Sequence, residues 1–184
     1  MSCLRTALVA LALVGSLGLA ACSPALNWRD VSLEGTTLKL QLPCKPDRTR
    51  RSVPLGGTPV ELQVVGCEAG DAMVAVMTAL PAPGSDPQAL LQGWQQATLV
   101  HAQARVTHSQ AWHRPGMLPL AAALQVQAEG RRPDGQPVQL QAVWGAVAEG
   151  QQVRLLHAVV YRPPSRMASS GDEPARTLFE SLRP

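Results

Sequence analysis

Three stretches near the end of the chain, two of them with apolar and polar residues in alternation, most restrict what this sequence can fold into. They cover residues 121–129, 138–144 and 153–161, and turn signals at 133–135 and 149–150 separate them. A period of two is typical of a half-buried β-strand, and Pro-Asp-Gly and Glu-Gly favour tight turns. The pattern predicts an antiparallel three-stranded meander. In its first strand, three polar side chains are predicted to point outward: Gln125, Gln127 and Glu129.

The rest of the chain adds more strands and two helices. Further strands are predicted at residues 28–33, 37–42, 60–67, 73–80 and 105–112. Asp86 and Pro87 are typical of a helix start, and an apolar stripe continues from there to about Ala104. Its members are Leu90, Leu91, Trp94, Ala97 and Thr98. A second, short helix is predicted from residue 172, with Leu178, Phe179 and Leu182 on its apolar side. Strands that are grouped, and do not alternate with helices, indicate an α+β domain.

The beginning of the chain has the features of an export signal. Residues 6–21 carry no charge and follow a short start that contains Arg5, which is typical of a secretory signal peptide. Sixteen helical residues rise only about 24 Å, less than the ~30 Å hydrocarbon layer of a membrane, so a permanent span is the weaker interpretation.

The end of this signal resembles the lipobox of bacterial lipoprotein precursors. Leu19-Ala20-Ala21-Cys22 has leucine three positions before cysteine and small residues between them. The resemblance implies cleavage after Ala21, acylation of Cys22 by chains such as palmitate, and a stable anchor, because two or more chains hold a protein firmly. Ser23 follows this cysteine. In lipoproteins of this kind an aspartate there would retain the protein in the inner membrane, so serine favours export to the periplasmic side of the outer membrane.

These features divide the chain into three parts. Residues 1–21 are the predicted lipoprotein signal peptide, residues 22–27 are the lipidated cysteine with a short tether, and residues 28–184 are one globular α+β domain. A tether of this length reaches less than ~20 Å. We therefore expect the domain to stay close to its membrane.

Two cysteines, Cys44 and Cys67, remain after the signal and the lipidated residue are set aside. In an oxidising compartment such a pair is most simply a disulfide. The alternative is that Cys44, next to Lys45, is a nucleophile with a lowered thiol pKa, but no Cys-x-x-Cys or Cys-His-Asn context accompanies it.

Charge and composition exclude some partners. The formal net charge is +3 and aromatic residues make up 3% of the chain, which argues against nucleic acid as a ligand because neither a basic field nor a stacking surface is available. Arg48, Arg50 and Arg51 form the one compact basic cluster. It is either a contact surface for lipid phosphates or lipopolysaccharide, or a solvated edge strand protected by charge.

No motif in the sequence indicates catalysis, and no cofactor is expected. The sequence lacks the nucleophile-elbow, zinc-protease and phosphate-loop patterns. The four histidines are His101, His108, His113 and His157. His108 and His113 are five positions apart, on opposite faces of a regular strand, so they could bind a metal only if the intervening loop folded back. Residues 107–109, Thr-His-Ser, cannot form a triad alone, because neighbouring strand residues point apart.

Two short segments resemble the PsbP-like family. They are LPCKP at residues 42–46, after an early strand, and LFESLR at residues 178–183 near the end of the chain. The resemblance implies an α/β/α sandwich, with helices on both sides of a central antiparallel sheet. Members of this fold mostly act as binding or assembly modules, and none of their motif positions supplies a catalytic residue here.

Taken together, the residues favour a lipid-anchored binding or assembly module of the cell envelope, in contact with the membrane through Cys22 and with a possible envelope protein partner. The main alternative is a small periplasmic hydrolase or thiol enzyme whose site is assembled from distant residues. A third interpretation is a carrier that holds a small apolar ligand between sheet and helix.

Overall fold

The computed structural model describes residues 26–164 and 173–184. The predicted signal peptide, Cys22 and most of the predicted tether lie outside the described residues, as does the predicted start of the last helix at Asp172. The described elements follow one another in this order: β1 (Arg29–Ser32), β2 (Lys39–Leu42), β3 (Asp47–Leu55), β4 (Thr58–Ala69), β5 (Ala72–Ala79), α1 (Pro87–His101), β6 (Arg105–Ala111), β7 (Leu124–Arg131), β8 (Pro137–Glu149), β9 (Gln152–Arg162) and α2 (Glu173–Ser181).

Seven of these strands form one antiparallel sheet in the order β3-β4-β5-β9-β8-β7-β6. The predicted meander is confirmed, because β7, β8 and β9 are sequential neighbours in it. The first group of strands, β3 to β5, joins the second group, β6 to β9, through the pairing of β5 with β9. The outer strands β3 and β6 therefore form the two edges of the sheet.

The central strands of the sheet are buried on both faces, but under different layers. In β8, Leu140, Ala142 and Trp144 belong to the apolar cluster beneath α1, whereas Val143 and Val147 belong to a second cluster that contains residues of α2. Because successive strand residues point to opposite faces, the two clusters lie on opposite sides of the sheet. This confirms the predicted α+β fold class, an α/β/α sandwich with a central antiparallel sheet.

Helix α1 starts where the sequence predicts. The Asp86 side chain caps it by accepting a hydrogen bond of 2.9 Å from the Gln88 backbone N–H, and Pro87 occupies the first turn. Leu91 and Trp94 are buried against the sheet, whereas Ala97, part of the predicted apolar stripe, is exposed. The stripe is narrower than predicted because α1 packs on the sheet through one side only.

The opposite face is covered by α2 together with a separate hairpin of β1 and β2. The hairpin inserts three leucines with no exposed surface into the cluster: Leu38, Leu40 and Leu42. The Gln41 N–H donates to the Ser181 hydroxyl at 2.8 Å, and the backbone of Lys39 pairs with that of Arg183. The chain's end is thereby fastened to β2. None of the described helices is both long enough and apolar enough to cross a bilayer.

Candidate functional site

Cys44 and Cys67 are bonded to each other. The Cys44 and Cys67 sulfurs lie 1.99 Å apart, with their Cα atoms separated by 6.0 Å. Cys44 lies in the connection from β2 to β3, and Cys67 lies in β4, so the bond links the hairpin layer to the sheet. Because both sulfurs are engaged, Cys44 offers no free thiol for nucleophilic chemistry in this structure.

The three arginines predicted as a contact surface do not share one face. Arg48 and Arg50 point toward the β1–β2 hairpin, where Arg48 donates to the Ser32 carbonyl at 3.1 Å. Arg50 lies 3.4 Å from Glu34 and 3.5 Å from Glu61. Arg51 pairs with Leu62 in the strand register, whose side chain belongs to the α1 face. The alternation of β3 thus places the Arg51 side chain on the opposite face of the strand from Arg48 and Arg50. The charge of Arg50 is in addition close to two carboxylates, those of Glu34 and Glu61.

Three of the four histidines are exposed and lie apart from one another in the fold: His101 ends α1, His108 lies in β6 and His113 follows β6. Within residues 26–164 and 173–184, no group of three or more histidine, cysteine, aspartate or glutamate residues is arranged to hold a metal ion.

The fourth histidine, His157, is buried in the centre of the α1 face at 1% exposure. Its ring stacks on Trp144 with centroids 4.4 Å apart and meets the edge of Trp94 at 5.6 Å. Burial lowers the pKa of His157 to about 4, although its ring nitrogen Nδ1 lies 3.2 Å from the Val143 carbonyl oxygen. No motif in the sequence singles out His157 as a core residue, yet alternation in β9 gives it the same parity as the apolar Leu155 and Val159.

A groove of about 430 Å³ lies on the other face, between α2 and the β6 edge of the sheet. It exists because α2 packs over β2, β8 and β9 and leaves the outer two strands uncovered on this side. The uncovered positions of β7 are Gln125 and Gln127, both half-buried. The alternation in the sequence predicts that both side chains point outward, but no local pattern indicates that a helix runs beside them.

Polar side chains from three strands and one helix converge on this groove. Gln110 of β6 donates to the Gln125 side-chain oxygen at 3.2 Å. Gln141 of β8 is 6% exposed and lines the groove with Gln127. The helical wall is formed by Arg176, Phe179 and Glu180. The arrangement provides several amide donors and acceptors beside guanidinium groups.

The end of the groove is built on a glycine. A Cβ atom at Gly145 of β8 would lie 2.6 Å from Cζ3 of Trp112, so glycine at this position lets the indole approach the strand backbone closely. Trp112 is 6% exposed and contributes to the groove wall. Next to it, the Arg114 guanidinium donates to the backbone carbonyl of Glu180, which joins the loop after β6 to the last turn of α2.

Short contacts connect this end of the groove to the start of the described chain. Beside Glu180, the Ser181 hydroxyl accepts from Gln41 of β2. Pro43 lies two residues after Gln41, just past the end of β2, and its carbonyl accepts a hydrogen bond of 2.7 Å from the Asn27 N–H. These contacts connect the last turn of α2, beside the groove, to the residues where the predicted tether joins the domain.

Comparison with known proteins gives a likeness of fold. No protein-family model and no curated protein matches this chain. LpqN, involved in cell envelope biogenesis of Mycobacterium tuberculosis, is similar over 86% of this chain and 92% of its own, with 11% identity and a TM-score of 0.51. Cyanobacterial PsbP from Synechocystis sp. PCC 6803 is similar over 92% of this chain and 99% of its own, with 11% identity and a TM-score of 0.49. The Ran-binding protein Mog1p of Saccharomyces cerevisiae covers 86% and 95%, at 11% identity and a TM-score of 0.44.

Proposed function

We propose that this protein is a lipid-anchored binding protein of the bacterial cell envelope, whose binding site is the groove between α2 and the β6 edge. The observation that carries the proposal is the convergence of Gln125, Gln127, Gln141 and Arg176 on one concave part of a sheet face. Concave sites with a few convergent polar groups are the usual form of a ligand site.

The location at the envelope is supported by the sequence and by a fold neighbour. The Leu19–Cys22 stretch, which resembles a lipobox, implies an anchor at Cys22, and LpqN, which has the same fold, is involved in cell envelope biogenesis. We place the protein on the periplasmic side of the outer membrane. The anchor itself is tested by Cys22→Ala, which should leave the chain unacylated and release it from membranes, as measured by intact mass and fractionation.

The enzymatic alternative is less well supported. A thiol enzyme would need Cys44 in its reduced form, but this sulfur is bonded to Cys67. A binding role requires only that the groove presents its polar atoms to a partner, which the geometry already allows.

Site-specific photocrosslinking in intact cells tests the binding role. A photoreactive residue at Gln125 in the groove is compared with one at Gln92, an exposed position of α1 on the opposite side of the sheet. We expect a distinct adduct from position 125 that is absent at position 92 and is lost in an Arg176→Glu background. If both positions give the same adducts, or if position 125 gives none, the groove is not the binding site.

A further inference from the structure

We infer that the ligand of the groove is an acidic saccharide, a chain of hydroxyl-bearing rings with a carboxylate or phosphate group. This inference rests on the proposed function and names the chemical class of its ligand. It is drawn from the amide groups, the charges and the shape of the groove.

The amide groups fit hydroxyl-rich ligands. Each glutamine side chain offers a carbonyl acceptor and an NH₂ donor, and a hydroxyl group also donates and accepts, so one amide can satisfy one hydroxyl in both directions. Four glutamines line the groove: Gln110, Gln125, Gln127 and Gln141. Gln110 and Gln125 use one atom each on their mutual bond of 3.2 Å, which leaves the other atom of each amide for a ligand.

The charges favour an anion. Arg176 and Arg114 bring two guanidinium groups to the groove, against one carboxylate from Glu180. Arg176 is exposed and makes no ion pair with the residues that the structure describes. It lies four positions before Glu180, so both side chains project from the same side of α2. A guanidinium binds a carboxylate or a phosphate through two parallel hydrogen bonds.

The shape and the groove wall favour a sugar ring over an apolar ligand. A volume of about 430 Å³ lies within the range of about 300–1,000 Å³ that is usual for small-ligand sites. The lining also contains carbon atoms of Trp112 and Phe179, which are 6% and 3% exposed, so a ring would meet a narrow apolar strip beside the polar side chains. A purely apolar ligand would exclude water from the Gln127 amide and the Gln125 NH₂ group without offering them a hydrogen bond, and polar groups that are buried without partners are costly.

The experiment measures binding to the full lipidated protein in detergent micelles by isothermal titration calorimetry. Two probes distinguish the source of the anion: a tetrasaccharide of galacturonic acid, and a phosphorylated glucosamine disaccharide. The methyl ester of the first probe is a matched control, because it has the same chain without charge. An extended decapeptide of alternating glutamate and serine represents a protein partner.

We expect binding of at least one acidic saccharide, with the ester and the peptide at least about tenfold weaker, as the loss of a charge-assisted hydrogen bond implies. Arg176→Gln should weaken saccharide binding by about tenfold or more, and Gln127→Ala by about threefold to tenfold. Arg132→Gln removes the same charge from the β7–β8 turn, outside the groove, and should leave binding unchanged.

Three results would overturn the inference: no binding of either acidic saccharide, equal binding of the methyl ester, or tighter binding of the peptide. If the peptide binds more tightly and position 125 still gives an adduct in the crosslinking experiment, the proposed binding function stands and the inferred saccharide ligand is wrong. If neither calorimetry nor crosslinking detects a ligand, the proposed function fails with it.

Discussion

Acidification should destabilise this fold through one buried imidazole, His157. Side chains from α1, β5 and β8 surround its ring, namely Trp94, Met77 and Trp144. Nδ1 donates to the Val143 carbonyl, which leaves Nε2 as the atom that must take up a second proton. Nε2 is buried and has no hydrogen-bond partner among the described residues. Protonation would therefore place a charge where nothing accepts its hydrogen bond.

The size of the effect follows from the shift in pKa. The folded pKa of His157 is about 4, against an ordinary value of 6.5. Because the unfolded chain binds the proton more readily, the free energy of unfolding is highest above pH 6.5 and falls as the pH drops toward 4. The linkage relation gives a loss of about 2 kcal/mol at pH 5 and about 3 kcal/mol at pH 4.

Urea denaturation of the wild type and of His157→Phe at pH 7.5 and pH 5.0 measures this loss. Phenylalanine keeps a ring between Trp94 and Trp144 but cannot be protonated, so the wild type should lose about 2 kcal/mol more than the variant between the two pH values. His108→Gln, at an exposed position of β6, is the control and should behave as the wild type does. Equal losses in the wild type and in His157→Phe would refute the reasoning, as would a His157 imidazole that titrates near pH 6.5 by NMR.

Three further changes test other parts of the structure. Replacing Cys44 and Cys67 by serine should lower the free energy of unfolding by about 3 kcal/mol in the chain-entropy model; two alkylatable thiols in freshly isolated wild type would contradict the bond itself. Gly145→Ala should destabilise the domain by about 1–3 kcal/mol and change indole fluorescence, because the new methyl displaces Trp112; unchanged stability and fluorescence would argue against the close packing. Arg51→Glu should reduce sedimentation with anionic vesicles more than Arg50→Glu does, because Arg50 is already paired with Glu34 and Glu61. Equal effects of the two substitutions would exclude a specific role for Arg51.

The parts of the fold that could be predicted from sequence are those set by neighbouring residues. The meander follows from alternation in its first two strands, a mostly apolar third strand and turn signals between them, and the start of α1 follows from Asp86 and Pro87. The pairing of β5 with β9 could not be predicted, because it joins residues such as Val74 and Val160, which no local pattern relates. The same holds for the position of the β1–β2 hairpin, which forms a layer of its own.

The candidate site shows the same division. The outward direction of Gln125 and Gln127 could be predicted, because parity along a strand is a local property. The groove itself could not, because its second wall is α2, and the position of α2 depends on contacts with β2, β8 and β9. The arginine cluster illustrates the reverse: Arg48, Arg50 and Arg51 are close in sequence, but strand geometry separates Arg51 from the other two.

One end of the domain joins the proposed anchor to the proposed site. At this end, the Asn27 N–H donates a hydrogen bond to the Pro43 carbonyl, and the Gln41 N–H donates one to the Ser181 hydroxyl. Ser181 follows Glu180, whose carbonyl accepts a hydrogen bond from Arg114 beside the groove. If the chain is acylated at Cys22 as proposed, the short tether keeps this end within about 20 Å of the membrane. A ligand fixed at the same membrane would then meet the groove at a high effective concentration, so that even a weak intrinsic affinity would give stable occupancy. An equally weak free solute would gain nothing from the anchor, which favours a ligand that is itself part of the envelope.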